Sequence, residues 1–195
     1  MERTHMGQGT SNVTVKDLEM DADSLDPLRA AAIYQEHGAL VVRGLMREHV
    51  EAVRRDIMAS VDKAMSLYDR AEKIPEGWLT PDGTLWLPAP EGFERDRQVM
   101  VSSCRYCNSA ALFHSAFEPK LVSLTTAILG PNVELYLDGQ CLVKEPVGGH
   151  AKHLHQDAGY FEHKYEGPVG ALSYAVDTDV KRGALHVVPG SHRMD

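Results

Sequence analysis

His153-Leu154-His155-Gln156-Asp157 lies in the last third of a 195-residue chain, among short apolar runs separated by Gly, Pro and Asp. Residues two apart on a strand share a face, so a strand here presents His155 and Asp157 side by side. At about 3.3 Å per residue the two start about 6.6 Å apart, close enough for both to reach one ion through bonds near 2 Å. His153 starts about 13 Å from Asp157 on a straight strand, so the chemically sensible pair is His155 and Asp157, with a third ligand from another strand. An imidazole and a carboxylate with one further His form the facial triad of non-haem Fe(II), and zinc accepts the same donors. The pattern is short, and a hydrogen-bonded His and Asp near a strand end reads equally well.

Outward from this stretch the strand signals continue. Val133 to Leu137, Gln140 to Lys144, Leu154 to Asp157, Gly170 to Asp177 and Ala184 to Val188 are short segments bounded by turn residues, as in a sandwich or barrel. Val188-Pro189-Gly190-Ser191 has Pro and Gly where a type II turn wants them. His192 then reads as structural, and so does His186.

The first half reads as helical. Leu25 to Glu36 is rich in Ala and Leu and stops at His37-Gly38, where Gly suits a helix C-cap. Ala39 to Val42 reads as a short buried strand. From Arg47 to about Lys73, Val50, Val53, Ile57, Val61, Ala64 and Tyr68 form a core-facing helical stripe. Phe117 to Leu129 is a further amphipathic helix ending at Gly130-Pro131. Between them, Ile74 to Arg97 contains four prolines and several glycines, which breaks both periodicities and predicts a long loop. Trp78 and Trp86 in it either wall a substrate pocket or anchor the loop to the core. Helices first and strands afterwards predict an α+β fold, with N-terminal helices packed on a jelly-roll core.

Composition excludes some functions. With 28 acidic residues against 20 Lys and Arg, the formal charge is −8, which disfavours nucleic acid and anionic membrane as partners. The polar N-terminus lacks the apolar stretch of a signal peptide, and no run approaches the roughly 20 apolar residues that span a bilayer; a cytoplasmic setting fits. Cys104, Cys107 and Cys141 are too few for a disulfide scaffold. Cys104-Arg105-Tyr106-Cys107 has the spacing of a zinc half-site or redox pair but no second CxxC, so ordinary reduced thiols are the simpler reading.

Several motifs in order resemble the phytanoyl-CoA dioxygenase family. They are His155-Gln156-Asp157, then Gly183-Ala184-Leu185, then Pro189-Gly190-Ser191-His192-Arg193. Gln35 to Gly44 resembles the family's entry segment, and Leu129-Gly130-Pro131-Asn132 and Lys144-Glu145-Pro146 resemble the approach to its HxD strand. The resemblance covers most of the chain after about Asp26. It implies a double-stranded β-helix core in which His155 and Asp157 bind Fe(II), 2-oxoglutarate chelates the metal, and oxygen is used to hydroxylate a small-molecule or acyl-CoA-like substrate.

Gln140 falls where relatives place a side chain that helps hold 2-oxoglutarate, and a structural hydrogen bond is its alternative role. Tyr160 and Ser173 are weaker pocket positions. The family's distal His and 2-oxoglutarate arginine are expected several tens of residues past Asp195, so Arg193 is not that arginine. The expected organisation is a flexible segment over 1–24 and a dioxygenase-like domain over 25–195, incomplete at its C-terminus. Two other readings compete: a catalytically inactive binding or scaffold protein of the same fold, and a cupin-like metal enzyme using His153, His155 and a Glu. For the second, Glu162 lies too far beyond His155. Oligomeric state is not legible.

Overall fold

Asp26-Pro27 opens helix α1 (Pro27–His37): the Asp26 carboxylate accepts from Leu28 N at 3.0 Å and Arg29 N at 3.2 Å. Pro27 lacks only an N–H that the first turn leaves unpaired in any case. The helix ends at Gly38, whose φ of +74° is the left-handed conformation a C-cap needs, and whose N–H donates to Tyr34 O at 2.7 Å. The computed structural model describes residues 13–135, 138–147, 152–157 and 168–194.

Ahead of α1, Leu18 and Ala22 are buried, and strand β1 (Glu19–Asp21) pairs in parallel with β2 (Val41–Arg43). Part of the segment set apart as 1–24 is thereby tied into the fold. The short strand expected over 39–42 begins two residues later, and it is not buried, because Val41 and Arg43 face outward at the edge of a two-stranded sheet.

Helix α2 (Val50–Ser66) follows the predicted stripe but stops short of Lys73. The chain makes one 3-10 turn at Tyr68–Arg70 and enters strand β3 (Glu72–Ile74). Tyr68 leaves the helical path because its ring packs edge-on against Trp86, with centroids 5.2 Å apart, and its hydroxyl donates to Asp96.

The stretch expected as a long loop is an antiparallel meander. After β3 come β4 (Gly77–Leu79), β5 (Leu85–Pro88) and β6 (Arg97–Ser102), in sheet order β3-β4-β5-β6-β7. The prolines that argued for a loop punctuate strands instead: Pro75 and Pro81 sit in turns and Pro88 closes β5. Pro81-Asp82-Gly83 is a hairpin turn in which Gly83 N donates to Thr80 O at 2.8 Å. Trp78 and Trp86 face each other across β4 and β5. Trp86 is 0% exposed and forms the core with Ala64 of α2 and Val99 of β6, while Val61, Tyr68, Trp78 and Val143 pack around it. Both tryptophans are therefore core anchors.

The helix expected over 117–129 is two helices. Helix α3 (Ala110–Ala116) is capped by Ser109, whose Oγ accepts from Leu112 N at 3.0 Å, and Phe117 ends it. Pro119 then holds Glu118 in extended conformation and starts α4 (Pro119–Leu129), which packs on α1 and ends at Gly130 as expected.

Of the strands expected beyond Asn132, the described residues contain β7 (Cys141–Leu142), which extends the meander from β6. Val143 N to Met100 O at 3.0 Å prolongs the pairing. Residues 133–135, 152–157, 170–177 and 184–188 form no ladder among the described residues, although Leu154, Leu172, Val176 and Leu185 show the expected apolar content. A strand exists only as half of a hydrogen-bonded pair, and these segments meet no strand partner there. The class is α+β.

Candidate metal centre

An α-helix leaves its last carbonyls without intrahelical donors. At the end of α1 they meet the Pro189-Gly190-Ser191-His192-Arg193 segment: Gly190 N donates to His37 O at 2.8 Å, His192 Nε2 to Gln35 O at 3.1 Å, and Arg193 Nη2 to the same Gln35 O at 2.8 Å. The segment is the expected type II turn, with Gly190 at φ +82°, ψ −6° and Ser191 N donating to Val188 O at 3.1 Å. His192, read from the sequence as structural, spends Nε2 on the end of α1. Basic side chains at a helix C-terminus also meet the negative end of its dipole.

Beside this turn lie His155 and Asp157. A carbonyl only accepts, so the 2.7 Å contact between His155 Nδ1 and His153 O places the proton on Nδ1. His155 Nε2 faces Asp157 Oδ1 at 3.3 Å. A second hydrogen bond that fixes the tautomer in this way is characteristic of histidines that ligate metals. The two side chains are 41% and 63% exposed. Gly170 brings its backbone close to the carboxylate: a Cβ there would lie 3.3 Å from Asp157 Oδ2. From α1, the Tyr34 phenol is raised above its ordinary value, first by burial and then by the Asp157 charge.

Two donors sharing an ion through bonds of about 2.1 Å stand at most about 4.2 Å apart. The observed 3.3 Å lies inside that limit, so the pair fits a metal. Zinc and iron both accept this donor set. Among the described residues no group of three His, Cys, Asp or Glu side chains gathers as a metal site. His150, His163, Tyr160 and Glu162 lie outside the described residues.

Gln140 is exposed immediately before β7, and Ser173 and His186 are also exposed. His153 contributes its carbonyl to the pair. The CxxC cysteines do not face a shared site. The Cys107 thiol donates to Asp138 Oδ2 at 3.3 Å, whereas Cys104 is buried with Cys141, whose hydrogen bond lowers the Cys104 thiol below its ordinary value.

Sequence reasoning missed Gln156, whose Nε2 donates to Ser191 O at 2.9 Å and Met194 O at 3.4 Å. The signal was available, since alternation sends residue 156 to the side opposite His155 and Asp157.

The phytanoyl-CoA dioxygenase family model matches residues 34–195. The chain belongs to the phytanoyl-CoA dioxygenase family. The matched stretch begins in the last turns of α1 and includes the turn that docks on them, so the structure joins the two ends of the family region. The family is one of Fe(II)- and 2-oxoglutarate-dependent oxygenases. No curated protein and no solved structure matches the chain.

Proposed function

We propose that this protein is a non-haem Fe(II)- and 2-oxoglutarate-dependent hydroxylase of a small-molecule or acyl-CoA-like substrate, with His155 and Asp157 as two of the iron ligands. The observation that carries the reading is the side-by-side placement of the two side chains, His155 Nε2 and Asp157 Oδ1 at 3.3 Å with His155 Nδ1 2.7 Å from His153 O, inside a chain of the matching family.

When bound, Fe(II) with 2-oxoglutarate supplies the oxidative chemistry that hydroxylates the substrate. The chain's own work is placement. His155 would offer a nitrogen donor and Asp157 an anionic oxygen donor from one short segment, as two of the ion's protein ligands. Gln140 is proposed to donate its amide to a carboxylate oxygen of 2-oxoglutarate.

Purified protein supplied with Fe(II), 2-oxoglutarate and candidate substrates is expected to release carbon dioxide from 2-oxoglutarate, with the release abolished in His155→Ala and in Asp157→Ala. Unchanged release in both variants would overturn the assignment.

A further inference from the structure

The residue between the two donors is not a donor itself, yet it makes long-range hydrogen bonds. Gln156 Nε2 reaches Ser191 O at 2.9 Å and Met194 O at 3.4 Å, and the turn holding those carbonyls is fixed to α1 by Gly190, His192 and Arg193. His192 also packs over Gly38, where a Cβ would come within 2.7 Å of its Cγ. One hydrogen-bonded path thus runs from the C-terminus of α1, through the 188–194 turn, to the backbone between His155 and Asp157.

We propose that Gln156 and His192 are positioning residues for the His155–Asp157 pair. The proposal rests on the reading of that pair as metal ligands. Gln156 ties the segment to the turn, and His192 ties the turn to α1. Neither reaches the ion. Their effect is to hold the two donors 3.3 Å apart before the ion arrives, so that binding does not have to order the segment. Loss of such outer contacts typically weakens metal binding by about 10- to 100-fold.

The test is a visible-absorption titration of the full chain with Co(II) alone, alongside far-UV circular dichroism to verify folding. Gln156→Ala and His192→Ala are each expected to raise the Co(II) Kd by about tenfold or more. His192→Gln, which restores an N–H donor toward Gln35 O, is expected to recover most of the loss. Because both residues act through one turn, the double Ala variant is expected to bind no more weakly than the worse single variant by more than a small factor. Wild-type affinity in Gln156→Ala, while His155→Ala and Asp157→Ala lose binding, would overturn the positioning roles and leave the metal reading standing. Where Gln156→Ala does not fold, equal affinities of His192→Ala and His192→Gln overturn the proposal in its place. Co(II) binding that is absent, or indifferent to His155→Ala and Asp157→Ala, overturns both readings together.

Discussion

The ring of His192 occupies the space that any side chain at Gly38 would need: an added Cβ would stand 2.7 Å from its Cγ. The two residues come from opposite ends of the family-matched region, and Gly38 itself is at φ +74°. Gly38→Ala therefore meets two penalties, left-handed backbone strain of about 1–2 kcal/mol and a collision with a docked ring. The expected result is a loss of about 2 kcal/mol or more in urea unfolding. His192→Ala in the Gly38→Ala background should relieve part of that loss, since only the collision disappears.

Trp86 is the centre of the core, fully enclosed by Ala64, Val99 and Tyr68, with its indole N–H directed to Thr80 Oγ1 at 3.4 Å. Trp86→Ala is expected to lower unfolding free energy by about 3–5 kcal/mol. Trp78→Ala should cost less, because Trp78 packs at the core's margin and shares Arg97 with Tyr68. Equal losses in denaturant melts would contradict this order.

Helices α2 and α4 are tied at their N-termini by His49 Nε2 and Glu118 Oε2, 2.9 Å apart and both largely buried. The His49 hydrogen bond is the main reason that the Glu118 carboxyl lies below its ordinary value of 4.5. A carboxyl with a lowered folded-state value binds its proton more readily when unfolded. Its contribution is complete above pH 4.5 and is lost as pH falls through the lowered value. His49→Ala is expected to cost about 1 kcal/mol near pH 6, with the difference from wild type shrinking toward pH 3. A difference that grows on acidification would contradict the linkage.

The helix ends at Gly38 and Gly130 were legible in the sequence because their chemistry is local, whereas the starts at Asp26-Pro27 and Pro119 went unread although their signals are equally local. The turn at Pro189-Gly190 was legible for the same reason. The meander over Glu72–Ser102 was not, since its prolines carry the same signal in a loop and in strand turns. Only the Trp78–Trp86 pairing, a tertiary fact, separates the two. Strand patterning past Asn132 was visible as composition, but pairing depends on a partner that composition does not supply. At the site, spacing picked out His155 and Asp157 correctly as neighbours. The His153 carbonyl that sets the tautomer is a backbone contribution, invisible to a search for ligating side chains.

In the proposed site His155 and Asp157 bind one metal ion. Anaerobic equilibrium dialysis against Fe(II) tests it most directly. The expected result is one ion per wild-type chain, with affinity lowered at least about 100-fold in His155→Ala and in Asp157→Ala while both variants keep wild-type circular dichroism. Fe(II) bound with equal affinity by wild type and both variants would contradict it.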